Sequence, residues 1–503
     1  MGLFNGANVR LSDIHVMSKG EFRLEVVRRC QNDARLMNLF GCPEPSGGVR
    51  LFAFMGFDED AVIRAVSTVI SSDDPAYESI TKDLFQAHLF EREIAEQWAI
   101  VPEAHPWLKP VRYHANYRGV PDIWEGISGR DIPGSYPFYA MAGEEVHEMG
   151  VGPVHAGIIE PGHFRFQSSG EEVMHLEIQL GYQHRGIERM MNGGDLVRSA
   201  YLSEAVAGDT AIGHSIAFSE VVESLAGCAA PPRAQAIRAI ALEIERLANH
   251  VGDLGALSAD AGFMPGSAYS GRMRGDYLNL LLAITGSRFG KGLSRPGGVL
   301  FDIDNEMALD LCRKLTVYKK EFEDVSELIF TRTSVLARFE DVGAISLKSA
   351  KKFGLVGPAS RACQLERDIR IDHASGMWQF YHIPISLGAT GDVYSRALVR
   401  RQEVMRSLEF LLKVLPSLPH GGIFVRLPAM RADMLALSLV EGWRGEIMHV
   451  GITDDKGAFA RYKIKDPSFN NWFGLAWAMR NQEISDFPLC NKSFNLSYAG
   501  HDL

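Results

Sequence analysis

The sequence predicts an α+β protein: a small N-terminal α/β domain, then a larger, mainly helical domain that also carries β hairpins. Three observations predict it. A β-forming run at 49–55 follows Gly47-Gly48. Apolar residues recur at three- and four-residue steps in several long segments beyond residue 230. A Gly-, Pro- and Tyr-rich stretch lies between the two regions. The resulting division is 1–115, a connecting segment 116–150, and 151–503.

Val49-Arg50-Leu51-Phe52-Ala53-Phe54-Met55 is the clearest N-terminal strand, and residues 60–70 read as helical. In the second domain, 163–167 and 173–180 flank the turn-prone Ser168-Ser169-Gly170-Glu171 and predict a hairpin. Met174, Leu176, Ile178 and Leu180 would share one of its faces. Ile237, Ile240, Ala241, Ile244, Leu247 and Val251 form a helical stripe behind Pro231-Pro232. Tyr318, Phe322, Val325 and Ile329 form a second stripe, and Val404, Leu408, Leu411 and Leu412 a third, which together argue for a helical bundle. Residues 435–450 and the segment around Arg461-Tyr462-Lys463-Ile464 predict a late β-containing insertion.

Composition narrows the function. With 503 residues, 46% hydrophobic and 23% charged, the chain has the make-up of an ordinary globular protein. A net charge of −10 without a long basic run argues against nucleic-acid binding. No apolar stretch reaches the roughly 20 residues needed to span a bilayer. The start Met1-Gly2-Leu3-Phe4 is neither a signal peptide nor a good acylation site. Cys30, Cys42, Cys228, Cys312, Cys363 and Cys490 are scattered, with no metal-site spacing, which fits buried thiols in a reducing compartment.

Several polar groups are candidates for chemistry. His155, Glu160 and His163 share a Gly/Pro-rich loop, where a histidine and a carboxylate can relay protons or simply tie the loop down. His184, Arg185, Glu188 and Arg189 stand at a helix start and fit an ion pair or an interface. Asp368 and Arg370 flank Ile369 in an expected strand, with Arg361 upstream, as a cavity lining or a structural ion pair. Trp443-Arg444 fits either a protein interface or a turn over a packed tryptophan. His214 and His501-Asp502 complete the set.

Ordered motifs carry a family resemblance. Gly152-Pro153-Val154-His155 through Gly162-His163-Phe164 is similar to the opening of group 4 [NiFe]-hydrogenase large subunits, homologues of the 49-kDa subunit of complex I. His184-Arg185-Gly186-Ile187-Glu188, Pro231-Pro232-Arg233-Ala234-Gln235 with Glu243…Arg246-Leu247, Arg295-Pro296-Gly297-Gly298, Asp368-Ile369-Arg370 and Gly391-Asp392-Val393-Tyr394-Ser395-Arg396 resemble further blocks in the same order. Phe90-Glu91-Arg92-Glu93 with His105-Pro106 resembles the complex I 30-kDa subunit, so the layout is that of a 30-kDa/49-kDa fusion of the formate hydrogenlyase type.

The resemblance implies a hydrogenase-large-subunit-like fold for 151–503, but the four cysteines that hold nickel and iron correspond here to Ala207, Thr210, Ser497 and Gly500. None is a soft ligand, so hydrogenase activity is not expected and no metal is expected on this chain. What remains is a metal-free cavity for a quinone-like or other redox acceptor, with His155, Glu160, His163, His214, Arg361, Asp368, Arg370 and His501 as its residues. The family's quinone tyrosine aligns near Gly208, which leaves Tyr201 or Tyr498 to replace it. The resemblance also implies an iron–sulfur small subunit of the complex I 20-kDa type carrying a [4Fe-4S] cluster, membrane subunits of a complex I-like arm, and a peripheral place on the cytoplasmic face. A non-catalytic scaffold linking the cluster subunit to the membrane subunits is the alternative.

Overall fold

A computed structural model describes residues 2–45, 47–124, 132–155 and 159–503. The Gly152–Phe164 motif at 156–158, the connecting segment at 125–131 and the initiating methionine of the acylation reading lie outside them. The architecture is α+β. Arg35–Pro43, Val49–Phe57 and Val62–Ile70 form an antiparallel meander, extended by Gly2–Leu3 and, in parallel, by Val16–Met17. Helix Lys19–Asn32, begun by a Ser18–Glu21 capping box, and helix His88–Trp98 pack on this sheet.

Residues 62–70 are therefore a strand, not the helix expected for 60–70. Asp58–Ala61 turns the chain, and the β-branched Val62, Ile63, Val66, Thr68, Val69 and Ile70 fit the pleated surface better than a helix. The expected hairpin is present as His163–Ser169 and Glu172–Gln179, with Val146–Val151 as a third strand. A register shift at Gln167/Ser168 breaks the alternation, so Val173 is buried and Met174 exposed.

The main core is helical. Pro232–Asp260 is its central helix, packed by Met264–Thr285 and Val393–Val414, with Ala211–Ala226 and Asn305–Thr331 around it. Pro232 stands in the first turn of the central helix, where its missing N–H costs nothing. Asp304 and Asp392 cap two of the others.

A last sheet joins Phe459–Lys465, Gly445–Thr453 and Met434–Gly442 with the N-terminal strand Asn8–Arg10. The chain's beginning thus completes a sheet formed near its end. The two regions share one apolar cluster, in which Phe40, Phe52 and Phe54 of the first sheet join Leu435, Leu437, Met448 and Val450 of the last. Phe54→Ala is expected to cost about 3–5 kcal/mol. Because the cluster is shared, thermal unfolding should move to lower temperature as a single transition; an early partial transition confined to the N-terminal region would contradict it.

Candidate functional site

The two loops of interest lie against each other. Residues 205–210 lead into helix Ala211–Ala226, and the C-terminal tail forms helix Tyr498–Asp502 behind Ser497, whose hydroxyl accepts from the Gly500 amide at 2.9 Å. Two arginines clamp them together. Arg444 Nη1 and Nη2 donate to the two Asp209 carboxylate oxygens at 2.6 and 2.7 Å, and its Nε donates to the Asn495 carbonyl at 2.5 Å. Arg185 Nη2 donates to the carbonyls of Val206 (3.0 Å) and Ala499 (2.9 Å). Trp443 lies beneath Arg444, its ring centroid 3.9 Å from the guanidinium carbon, and its Nε1 donates to the Asp209 carbonyl and the Thr210 hydroxyl. Trp443 is buried in the turn between two strands and is not an exposed interface anchor.

Ala207, Thr210, Ser497 and Gly500 offer no sulfur, and the space at the last is filled. A Cβ on Gly500 would fall 2.6 Å from Asp466 Cγ. The Asp466 carboxylate accepts from His214 Nε2 at 3.0 Å; His214 Nδ1 meets His449 Nε2 at 3.0 Å; His449 Nδ1 meets the Tyr462 hydroxyl at 2.9 Å. All four side chains are buried. Burial pushes Asp466 up, but the His214 contact and Arg444 outweigh it and its pKa is lowered. Burial holds His449 well below the usual imidazole range. The residues present do not fit a nickel–iron centre.

The eight expected residues fall into separate settings. Glu160 Oε2 accepts the amides of Tyr498 and Ala499 at 3.0 and 3.1 Å, so it caps the tail helix; burial raises its pKa despite those bonds. His155 Nε2 lies 3.4 Å from the Tyr498 hydroxyl, with its pKa lowered by burial. Tyr498, rather than the 58%-exposed Tyr201, is the tyrosine that meets the histidine loop. His163 Nδ1 is 3.4 Å from the Gly152 carbonyl and belongs to the same loop. His214 lies in the buried row. His501 bonds Asp502 at 2.9 Å and faces a chamber toward the N-terminal region, not the loops at Ala207 and Thr210.

Arg361, Asp368 and Arg370 form a different centre. Asp368 is the cap of a short helix, Ile369–Asp372, not part of a strand: its Oδ1 accepts from the Arg370 amide at 3.0 Å. Arg361 reaches Glu403 (2.7 Å) and Glu441 (2.8 Å), and Arg370 reaches Asp368 (2.6 Å) and Glu243 (3.2 Å). Arg246 joins Glu243 to Glu403, and His250 Nε2 contacts Glu403 at 2.8 Å. Every member is buried. Burial works against the Asp368 charge, yet Arg370 and Arg361 outweigh it and lower the pKa. Burial instead wins at Glu441 and raises its pKa to about 7.

The sequence reading missed Asp466, His449, Glu403 and Glu441 as site members. A signal existed for Glu243, Glu245 and Arg246, three charges set directly among Ile240, Ala241, Ile244 and Leu247 of the apolar stripe. Asp466 and His449 gave none, since each becomes meaningful only once strand pairing brings it to His214. Glu245 accepts the first amides of helix Ala211–Ala226, Ile212 at 2.8 Å and Gly213 at 3.2 Å, so it caps the helix that follows Thr210.

Residues 260–436 match the family described as the respiratory-chain NADH dehydrogenase 49-kDa subunit. Formate hydrogenlyase subunit 5 of Escherichia coli is 28% identical over 456 residues, covering 87% of this chain and 79% of that protein. NADH-quinone oxidoreductase subunit 4 of Thermus thermophilus is 28% identical over 369 residues, 68% of this chain and 90% of its own length. A chain of the membrane-bound sulfane sulfur reductase, an archaeal respiratory membrane complex, shares the fold, with a TM-score of 0.67 at 22% identity over 71% of this chain and 99% of that one. The chain is thus similar to large subunits of complex I and of hydrogenase-type membrane complexes.

Burial raises the Glu245 pKa to about 8. The folded state then holds this proton more tightly than the unfolded state, so Glu245 removes stability as pH rises from about 4.5 to about 8. Glu245→Gln should flatten the fall in denaturation midpoint over that window; an unchanged pH slope would show that Glu245 does not supply it.

Proposed function

We propose that this chain is a peripheral-arm subunit of a membrane-bound, complex I-like oxidoreductase, working beside an iron–sulfur subunit and carrying no metal of its own. The single observation that carries the metal-free reading is the Asp466 carboxylate against Gly500, in an interior already clamped by Arg444 and Arg185. The relatives named above support membership of such a complex. No helix among the described residues is long and apolar enough to cross a membrane; on this reading the chain sits peripherally, on the cytoplasmic face.

On this reading the acceptor is quinone-like. Its headgroup would meet His155 and Tyr498, which already stand within reach of each other, with the partner's [4Fe-4S] cluster supplying electrons. Glu160 holds the tail helix that carries Tyr498 and so sets the position of that pair. The filled interior at Asp466 and His214 favours a second reading, a scaffold that couples the cluster subunit to membrane subunits through its buried charges.

Electron transfer to a water-soluble quinone by the assembled complex distinguishes the two. His155→Ala and Tyr498→Phe should each reduce turnover tenfold or more if the pair binds the acceptor, as expected for a lost transition-state contact of about 1.4 kcal/mol or more. Unchanged turnover and quinone affinity in both variants, with the complex intact, would favour the scaffold.

A further inference from the structure

Two neighbouring chambers lie between the N-terminal region and the main domain, apart from the loops at 205–210 and 495–500. The inner one, of about 70 Å³, is walled by parts of helix His88–Trp98, strand Glu172–Gln179 and helix Pro467–Ala478, with His501. The outer one, of about 510 Å³, has Phe85, Tyr139, Met141 and Met174 in its walls, with the exposed Arg480 among its lining residues. His88 and Trp107 line both and stand where the two meet.

The inner chamber's lining carries Arg92, His88 and His501 together with Glu177. Arg92 Nε and Nη2 donate to the carbonyls of Lys109 and Pro110 at 2.8 Å, and among the described residues no carboxylate is within ion-pair distance of it. The arginines of the charged centre all have carboxylate partners, whereas the partly buried Arg92 is held by carbonyls. The nearby carboxylates are already engaged. Glu177 takes Lys109 Nζ at 2.7 Å and the Tyr139 amide at 2.8 Å; Asp502 takes the amides of Gly181 and Gln183 at 2.8 and 2.9 Å, and His501. Burial, with the charge of Arg92 and the neighbouring imidazoles of His105 and His501, holds His88 well below the usual imidazole range. The indole N–H of Trp472, in the same wall, has no hydrogen-bond partner among the described residues.

We propose that this passage binds an amphiphilic monoanion, its acidic head against Arg92 and His501 and its apolar or aromatic body extending past His88 and Trp107 into the outer chamber. The ligand supplies the counter-charge that Arg92 lacks. The outer chamber falls within the roughly 300–1,000 Å³ of ordinary small-molecule sites, while the inner one suits a headgroup only. Both an aromatic acid and a fatty acid have this chemistry. The proposal stands apart from the acceptor reading, since neither His155 nor Tyr498 lines either chamber.

Fluorescence titration of the full chain with 1-anilinonaphthalene-8-sulfonate, and with its uncharged analogue N-phenyl-1-naphthylamine, tests it. The sulfonate should bind once per chain and at least tenfold tighter than the neutral dye. Arg92→Gln should weaken the sulfonate about tenfold or more, as a lost charge-assisted hydrogen bond does, and leave the neutral dye unchanged. Met174→Trp, at a partly exposed position in the outer wall, should weaken both. Displacement by dodecanoate would identify a chain-bodied ligand, and displacement by 2-naphthoate a ring-bodied one. Equal affinity for the two dyes, or an unchanged sulfonate affinity in Arg92→Gln, would overturn the proposal. If Arg92→Gln does not fold, unchanged affinity of both dyes in Met174→Trp would do so.

Discussion

The contact between Asp466 and Gly500 organises the interior of this protein. A glycine at 500 leaves room for the carboxylate, and the carboxylate fixes His214, which in turn meets His449 and Tyr462. Those four side chains come from a helix, two strands and the cap of a second helix, Pro467–Ala478, so the row ties distant parts of the chain to the tail. Low local dielectric strengthens such a row when every member is satisfied and makes it costly when one is removed. A side chain returned to position 500 would have to displace the carboxylate first.

The buried charges around Arg361 and Arg370 do comparable work one layer away. They join the helices Pro232–Asp260 and Val393–Val414 to the hairpin of Met434–Gly442 and Gly445–Thr453 through alternating guanidinium and carboxylate groups. Asp253 extends the link to the tail, pairing with Arg400 at 2.8 Å and accepting from the Asn495 side chain. Buried ion pairs add little net stability over apolar packing, but breaking one partner is severe. Their effect here is to set the relative position of the tail, the helices and the hairpin, the parts that surround the emptied loops. Within this network burial raises the Glu441 pKa against the pull of Arg361.

Much of this was legible in the sequence where a local period governs. The stripes around Ile244, Phe322 and Leu408 gave helices, and the turn at Ser168–Glu171 gave the hairpin. Residues 60–70 misled because their apolar spacing suits a helix as well as a strand, and only pairing with Val49–Phe57 decides. Asp368 reads as a strand residue beside Ile369, yet its side chain closes onto the Arg370 amide and starts a helical turn. The strand Asn8–Arg10 was invisible because its partner lies more than four hundred residues away. Resemblance singled out the two loops, and the structure joins Glu160 and His155 to Tyr498 while placing Arg361, Asp368, Arg370 and His501 in other settings.

Carboxylate–imidazole and arginine–carboxylate contacts hold this interior together around Ala207, Thr210, Ser497 and Gly500, four positions that offer no sulfur. Elemental analysis of the purified full chain, expressed with nickel and iron supplied, addresses this most directly. The account predicts nickel and iron far below one equivalent per chain and no hydrogen turnover. Stoichiometric nickel that survives gel filtration, with hydrogen turnover, would contradict it.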